Sequence, residues 1–254
     1  MSSSAAPLMP ATLQWLPETG APAQLLVLLH GWGASAADMA PLAQVLRRQL
    51  PQAAALAPEG FEPLDGTGAA QLAGRQWFSL AGIDEASRPA RVAAVLPRLA
   101  DWVRAAQAAT GVPEQATALV GFSQGAILAL ELAQAHDGIA GRVLAFAGRY
   151  AALPEAAPRE TTLHFFHGAD DAVIPAAQAR AAIERLAALG GDATIDIATG
   201  VGHEIPPALL RCALQRLSSH IPQRTWQAAL GAAPGARPDD GADEAMDTSP
   251  RQPH

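Results

Sequence analysis

The chain has 254 residues, of which half are apolar and 16% are charged, and its formal net charge is −7. This composition is typical of a globular protein and excludes a disordered chain, and the negative charge argues against binding to a nucleic-acid backbone. The single cysteine, Cys212, excludes an intrachain disulfide. The sequence has neither the basic and apolar start of a signal peptide nor an apolar run long enough to cross a bilayer. We therefore expect a cytoplasmic protein without a transmembrane segment.

Changes in composition divide the chain into three regions. We expect a flexible leader over residues 1–10, one α/β domain over 11–230 and a disordered acidic tail over 231–254. The tail is rich in Gly, Ala, Pro and Asp, and it carries five acidic residues against two arginines. Because it has almost no large apolar side chains, it cannot bury enough surface to offset the entropy lost on ordering.

Short apolar runs alternate with amphipathic stretches between the leader and the tail. A near-continuous apolar run predicts a strand that is covered on both faces. Strands are predicted over residues 24–30, 53–57, 117–121, 142–147, 162–167 and 193–198. Helices are predicted over residues 36–49, 87–109, 124–135, 176–189 and 207–219, with a kink or a break at Pro97. This alternation predicts a mainly parallel central sheet with helices on both faces.

The segment GFSQG at 121–125 matches the pattern G-x-S-x-G. A predicted strand precedes it and a predicted apolar helix follows it, which is the setting that this motif requires. Its glycines allow a sharp turn in which the serine is held in a strained conformation with its hydroxyl exposed. The motif therefore predicts Ser123 as a catalytic nucleophile.

A serine hydroxyl needs an adjacent base, and in this fold the chain order is serine, then acid, then histidine. Six histidines follow Ser123, and His203 lies in a glycine-flanked loop between the last predicted strand and the last predicted helix. We therefore expect His203 to be the base. Asp170 and Asp171 are adjacent candidates for the acid at the end of another strand, and spacing alone does not separate them.

The first predicted strand is followed by the segment HGWG at 30–33. Small residues there allow a backbone N–H to point into the site. We expect the backbone N–H groups of Trp32 and Gln124 to hold the negative oxygen that forms during acyl transfer. Trp32 is also a candidate wall of the substrate pocket, and His30 is expected to support the loop rather than act as the base.

Taken together, these residues resemble the carboxylesterase/phospholipase branch of the α/β-hydrolases, which includes acyl-protein thioesterase-like enzymes and small bacterial serine esterases. The matching segments are LLHGWG at 28–33, GRQWFS at 74–79, GFSQG at 121–125, HGADDAVIP at 167–175 and GVGHEI at 200–205. The resemblance covers about residues 12–220 and implies an α/β-hydrolase fold without a large cap domain, a metal or a cofactor.

The resemblance also implies roles for individual residues. In this family the acid directly precedes the element x-[Val/Leu/Ile]-[Val/Ile]-Pro, which selects Asp171 over Asp170. The family's aromatic pair corresponds to Trp77 and Phe78, which would border the substrate site. Trp32 departs from the pattern, because acyl-protein thioesterases tend to have leucine there, so their lipid-modified protein substrates are not carried over.

The predicted function is a serine carboxylesterase that hydrolyses short- to medium-chain acyl esters through an acyl-enzyme. The apolar residues that suggest this acyl preference are Trp32, Phe61, Leu64, Leu72, Trp77 and Phe78. One alternative is an acyl-thioesterase or lysophospholipase, and another is a non-catalytic binding module on the same fold. The expected partner is a small-molecule ester or thioester, with no nucleic acid, and the chain is expected to be a monomer or a homodimer.

Overall fold

The computed structural model describes residues 10–65 and 74–231. The predicted leader and acidic tail lie outside the described residues, apart from Pro10 and Gly231, and Leu72 lies outside them as well.

Strands within the described residues form one large sheet and one small one. They are β1 (Thr12–Trp15), β2 (Gln24–Leu29), β3 (Ala53–Pro58), β4 (Glu62–Pro63), β5 (Arg75–Gln76), β6 (Thr117–Phe122), β7 (Arg142–Phe146), β8 (Thr162–Gly168) and β9 (Ala193–Ala198). The large sheet has the order β1-β3-β2-β6-β7-β8-β9, while β4 and β5 form an antiparallel pair. All neighbours in the large sheet are parallel except β1 and β3. The predicted mainly parallel sheet is therefore confirmed.

Six α-helices lie between or after these strands within the described residues. They are α1 (Ala40–Gln49), α2 (Arg88–Thr110), α3 (Gln124–Ala135), α4 (Ala176–Ala188), α5 (Pro207–Ser219) and α6 (Gln223–Gly231). A short 3₁₀ helix, Ala36–Met39, leads into α1. None of the described helices is both long enough and apolar enough to cross a membrane.

Of the two outcomes predicted at Pro97, a kink or a break, the break is wrong, because α2 continues through this residue. Proline has no N–H to donate to the carbonyl of Ala93, four residues earlier. Both Ala93 and Pro97 lie on the exposed side of the helix, where water can hydrogen-bond that carbonyl. Leu96 and Leu99 on the opposite side are buried in the core and keep the helix packed.

Two apolar layers cover the sheet, one on each face. Leu25, Val27 and Leu29 of β2 face a layer that includes residues of α2, α3 and α4. Leu26 and Leu28, the alternating residues of β2, face a second layer with residues of α1 and α5. Side chains of one strand therefore enter both layers, which explains why the inner strands are mainly apolar.

The register of the sheet brings several loops to one edge. Leu29 of β2 is level with Gly121 of β6, and Phe122 of β6 is level with Phe146 of β7. Because these strands are parallel, the turns after β2 and β6 begin side by side at the carboxyl ends of the strands. The turns after β8 and β9 leave the same edge, with Gly168 level with Ala198.

Candidate active site

Ser123 lies in the turn between β6 and α3 and has backbone angles φ 53° and ψ −114°. A positive φ is strained for a residue other than glycine and costs about 1–3 kcal/mol. The flanking glycines are required by space. A Cβ on Gly121 would lie 2.4 Å from the carbonyl oxygen of Gly125, and a Cβ on Gly125 would lie 2.1 Å from that of Leu29. The sequence pattern and the strain therefore belong to the same sharp turn.

Three side chains from separate loops form a continuous hydrogen-bonded chain at this edge. The Oγ of Ser123 lies 2.8 Å from Nε2 of His203, and Nδ1 of His203 lies 2.8 Å from Oδ2 of Asp171. A carboxylate can only accept, so His203 donates through Nδ1 and leaves Nε2 to accept the serine proton. His203 lies in the loop between β9 and α5, where sequence analysis expects the base.

Asp171 is the aspartate at His203, while its neighbour Asp170 is exposed. The side chain of Asp171 is fully buried, and its Oδ1 accepts hydrogen bonds of 2.9 Å from the backbone N–H groups of Val173 and Ile174. Burial by itself raises the pKa of the Asp171 carboxyl, but the hydrogen bonds from His203, Ile174 and Val173 outweigh it and hold that pKa below its ordinary value. Asp171 therefore faces His203 as a carboxylate.

His167 is a second histidine beside Asp171 that sequence analysis does not single out. Its Nε2 donates to the carbonyl of Ile174 at 2.7 Å and lies 3.3 Å from Oδ2 of Asp171. Both side chains are buried, so His167 helps to fix the loop that carries the carboxylate. No sequence signal distinguishes it from the other histidines, because its role depends on a neighbour across the loop.

The backbone N–H groups of Trp32 and Gln124, which are predicted to hold an oxyanion and are called the oxyanion amides below, lie in the turns after β2 and β6. Gln124 is the first residue of α3, where N–H groups have no partner within the helix. Within the described residues, no hydrogen bond is made by either oxyanion amide. Two unpaired donors therefore lie on the two turns that adjoin Ser123.

His30 supports the turn after β2, as sequence analysis expects. Its Nδ1 lies 2.7 Å from the carbonyl oxygen of Gly31, and its Nε2 accepts a hydrogen bond of 2.8 Å from the N–H of Gly60. The ring is fully buried, and burial lowers the pKa of His30. With both nitrogens engaged, its contacts hold two loops together.

The aromatic residues predicted at the substrate site separate into two groups. Trp32 is 47% exposed, and its indole Nε1 donates to Oε1 of Gln76 at 3.1 Å. Trp77 and Phe78 are buried, so neither ring face is exposed in this structure, and their place at the border of the substrate site stays a prediction. Packing explains the difference, since Trp77 contacts Phe61 edge-on and donates its indole N–H to the carbonyl of His30.

Metal chemistry has no ligand set in the part of the chain that is described. No group of three or more His, Cys, Asp or Glu side chains suited to a metal ion occurs in residues 10–65 and 74–231. The chemistry that this arrangement offers is nucleophilic attack by an activated hydroxyl next to two amide donors.

Comparison with known proteins shows the family to which this chain belongs. The family model described as phospholipase/carboxylesterase matches residues 16–221. The chain is 45% identical over 213 residues to Esterase YpfH of Escherichia coli (strain K12), covering 84% of this chain and 90% of that protein. The chain therefore belongs to the phospholipase/carboxylesterase family of the α/β-hydrolases, and it is an enzyme of the ester-hydrolysing type.

Solved structures agree with this assignment. Esterase PE8 superposes with a TM-score of 0.75 at 29% identity, covering 83% of this chain and 98% of that chain. The carboxylesterase from Mesorhizobium loti gives a TM-score of 0.64 at 22% identity, covering 78% of this chain and 89% of that one. The second likeness bears on the fold alone. The predicted α/β-hydrolase fold is confirmed.

Proposed function

We propose that the protein is a serine carboxylesterase that cleaves short- to medium-chain acyl esters through an acyl-enzyme at Ser123. The observation that carries the proposal is the hydrogen-bonded chain from Ser123 through His203 to Asp171, with both links at 2.8 Å. The two unpaired oxyanion amides beside the serine support it. Membership of the phospholipase/carboxylesterase family supports it independently.

In the proposed mechanism, Oγ of Ser123 attacks the ester carbonyl carbon while its proton passes to Nε2 of His203. Asp171 stabilises the resulting imidazolium, and the oxyanion amides donate to the negative oxygen of the tetrahedral intermediate. The intermediate collapses, and the leaving alcohol takes the proton from His203. A water molecule then attacks the acyl carbonyl carbon while one of its protons passes to His203. This second intermediate collapses by breaking the bond to Oγ of Ser123, which takes the proton back from His203 as the carboxylic acid leaves.

The proposed acyl preference depends mainly on Trp32. The backbone of Trp32 carries one oxyanion amide, and the indole side chain of the same residue is half-exposed. An acyl chain whose carbonyl oxygen binds the oxyanion amides would pass this ring. Each methylene that contacts the ring should then raise kcat/KM about fourfold, because burying one methylene is worth about 0.8 kcal/mol.

The experiment that tests the proposed nucleophile is intact-mass analysis after treatment with a fluorophosphonate, with Ser123→Ala as the matched control. We expect one adduct on the wild-type protein and none on the variant. Hydrolysis of p-nitrophenyl esters from acetate to octanoate then measures the acyl preference. An unlabelled but folded wild-type protein would overturn the proposal and restore the non-catalytic module as an interpretation.

Thioesters and lysophospholipids remain the competing substrates for the same site. Oγ of Ser123 would attack the carbonyl carbon of any of these substrates, so only their relative kcat/KM values distinguish them. Matched butanoate substrates that differ only in the leaving oxygen or sulfur should be compared at equal concentration. A kcat/KM for the thioester far above that of the ester would identify a thioesterase, and the same comparison with a lysophospholipid would identify a lysophospholipase.

A further inference from the structure

The two oxyanion amides belong to separate elements that contact one short segment, residues 75–78, called the bridging segment below. On the Trp32 side, the N–H of Gly33 donates to the carbonyl of Arg75 at 2.9 Å, and the N–H of Arg75 donates to the carbonyl of Ala34 at 2.8 Å. These two bonds hold the turn after β2 against the bridging segment as a short backbone ladder.

Gln76 adds a side-chain contact to the same turn. Its Oε1 accepts from the indole N–H of Trp32 at 3.1 Å, and its Nε2 donates to Oδ1 of Asp65 at 2.8 Å. An indole N–H can only donate and a carboxylate can only accept, so the orientation of the Gln76 amide is determined. Hydrogen bonds from the Ser79 hydroxyl and from Gln76 lower the pKa of Asp65, which keeps the acceptor ionised.

Gln124 makes the corresponding contact on the other side. Its side-chain Oε1 accepts from the N–H of Trp77 at 2.9 Å, and its Nε2 donates to the carbonyl of Phe78 at 2.8 Å. The residue is buried, and its own backbone N–H is the second oxyanion amide. One glutamine therefore carries a donor and attaches that donor to the bridging segment.

The bridging segment is itself fixed in the core. Trp77 is fully buried, and its indole donates to the carbonyl of His30 at 2.9 Å. Directly before the segment, the chain approaches the turn so closely that a Cβ on Gly74 would lie 2.2 Å from the carbonyl oxygen of Gly33. The turn that carries the first oxyanion amide is therefore in close backbone contact with the chain at Gly74, next to the bridging segment.

We propose that the side chains of Gln76 and Gln124 are positioning residues that set the separation of the two oxyanion amides through the bridging segment. This inference rests on the proposed function, since it assumes that the two amides receive an oxyanion. Displacement of a donor by a fraction of an ångström weakens its bond to the transition state far more than it weakens substrate binding. The positioning role should therefore appear in kcat rather than in KM.

The test uses Gln76→Met and Gln124→Met, which keep the length of each side chain and remove its hydrogen bonds. Gln107→Met is the matched control, because Gln107 is a buried glutamine that donates to the Thr117 hydroxyl and the Ile139 carbonyl, away from the site. The measurements are kcat and KM for p-nitrophenyl butanoate, the inhibition constant of a butyl trifluoromethyl ketone, and the melting temperature.

We expect both site variants to lose about 10- to 100-fold in kcat, with KM changed less than about threefold. The inhibition constant of the ketone should rise in proportion, since its tetrahedral adduct uses the same amides. Gln107→Met should lose stability without these effects. Equal ketone affinity in all three variants would overturn the inference, and Gln76→Met decides alone if Gln124→Met does not fold. A wild-type protein that neither binds the ketone nor reacts with a fluorophosphonate would instead overturn the proposed function.

Discussion

Each end of the central sheet carries an aspartate that is hydrogen-bonded to a histidine. At the carboxyl ends of the strands, Asp171 contacts His203 at 2.8 Å. At the amino ends, Asp192 precedes β9 and contacts Nε2 of His220 at 3.3 Å. Both carboxylates also accept from other groups, and the hydrogen bonds that they accept outweigh burial and lower the pKa of each.

What surrounds the second pair differs from the surroundings of the first. Asp192 and His220 lie among other polar side chains, which include Arg142, Thr162 and His164. The Thr162 hydroxyl lies in a regular strand and donates to Asp192 at 2.8 Å. Nδ1 of His164 lies 2.8 Å from the Thr194 hydroxyl, and its Nε2 lies 3.3 Å from a guanidinium nitrogen of Arg142, which can only donate.

The comparison shows why a histidine and an aspartate in contact do not by themselves make a catalytic site. The serine at the carboxyl ends has a strained backbone and lies next to unpaired amides, whereas the threonine at the amino ends lies in a regular strand and donates its hydroxyl to a carboxylate. We expect the first pair to move a proton, whereas in the second pair Asp192 joins Thr162 of β8 and the start of β9 to His220 after α5. The predictions below test this division.

Removal of the two hydroxyls should give the largest contrast. We expect Ser123→Ala to lower kcat for p-nitrophenyl acetate by about 10⁴-fold or more, because the nucleophile is lost. Thr162→Ala should keep kcat within about twofold, since effects at distant sites are independent. Steady-state assays with thermal unfolding as a check on folding make the measurement. Comparable turnover in Ser123→Ala would remove the distinction between the two ends.

The two aspartates should differ in the same way. Asp171→Asn places an amide opposite Nδ1 of His203 and favours the wrong tautomer, so kcat should fall by about 10⁴-fold. Asp192→Asn should leave kcat nearly unchanged and lower the free energy of unfolding by about 1–3 kcal/mol, the cost of disturbing buried hydrogen bonds. Urea unfolding beside kcat measurements checks both, and a large loss of kcat in Asp192→Asn would contradict the division.

The pH dependence of stability should reveal His164. Burial, reinforced by the neighbouring His220 and Arg142, lowers the pKa of His164 to about 3. As the pH falls below the unfolded value of about 6.5, only the unfolded chain takes up this proton, so the free energy of unfolding should fall by about 1.4 kcal/mol per pH unit down to the folded pKa.

His164→Gln removes this proton uptake from the unfolded chain. Its free energy of unfolding should therefore depend less steeply on pH than that of the wild type between pH 6 and pH 4, a window set by the lowered pKa of His164. Urea unfolding at several pH values measures the two slopes. Equal slopes would mean that His164 takes up protons equally in the folded and unfolded states.

Two exposed tryptophans give the smallest and most selective contrast. Trp32 is 47% exposed beside the oxyanion amide, and Trp226 is 57% exposed on α6. Trp32→Ala should lower the preference for butanoate over acetate about fourfold for each methylene that loses contact with the ring. Trp226→Ala should leave the ratio of kcat/KM values unchanged. A ratio unaffected by Trp32→Ala would exclude this indole from the acyl pocket.

The sequence was sufficient to predict the elements that have a strong local signal. Five strands of the central sheet, β2, β3 and β6 to β8, are mostly buried runs, β9 is a half-buried run at the edge, and α1 to α5 have continuous helical patterns. It was not sufficient for β1, whose four residues are exposed or half-buried at a sheet edge, or for α6, which lies where the composition becomes tail-like. A strand of that kind is identified by its pairing with β3, which is a tertiary contact.

The same division holds at the site. The sharp turn at Ser123 could be predicted from the sequence, because its need for two flanking glycines is local and steric. The burial of Trp77 and Phe78 and the contacts of Gln76 and His167 depend on partners elsewhere in the chain. Nothing in the local sequence states which partner a side chain will meet.

By itself, the sequence determined the order of the candidate serine, acid and histidine along the chain and the local turns that hold them. These features depend on the size and hydrophobicity of neighbouring residues. Only the tertiary structure brought Ser123 within 2.8 Å of His203, 80 residues later, and exposed Asp170 while burying Asp171. These outcomes depend on strand register and on packing between distant segments. The hydrogen-bond distances at the site depend on how the whole sheet assembles, and they cannot be derived from the spacing of residues along the chain.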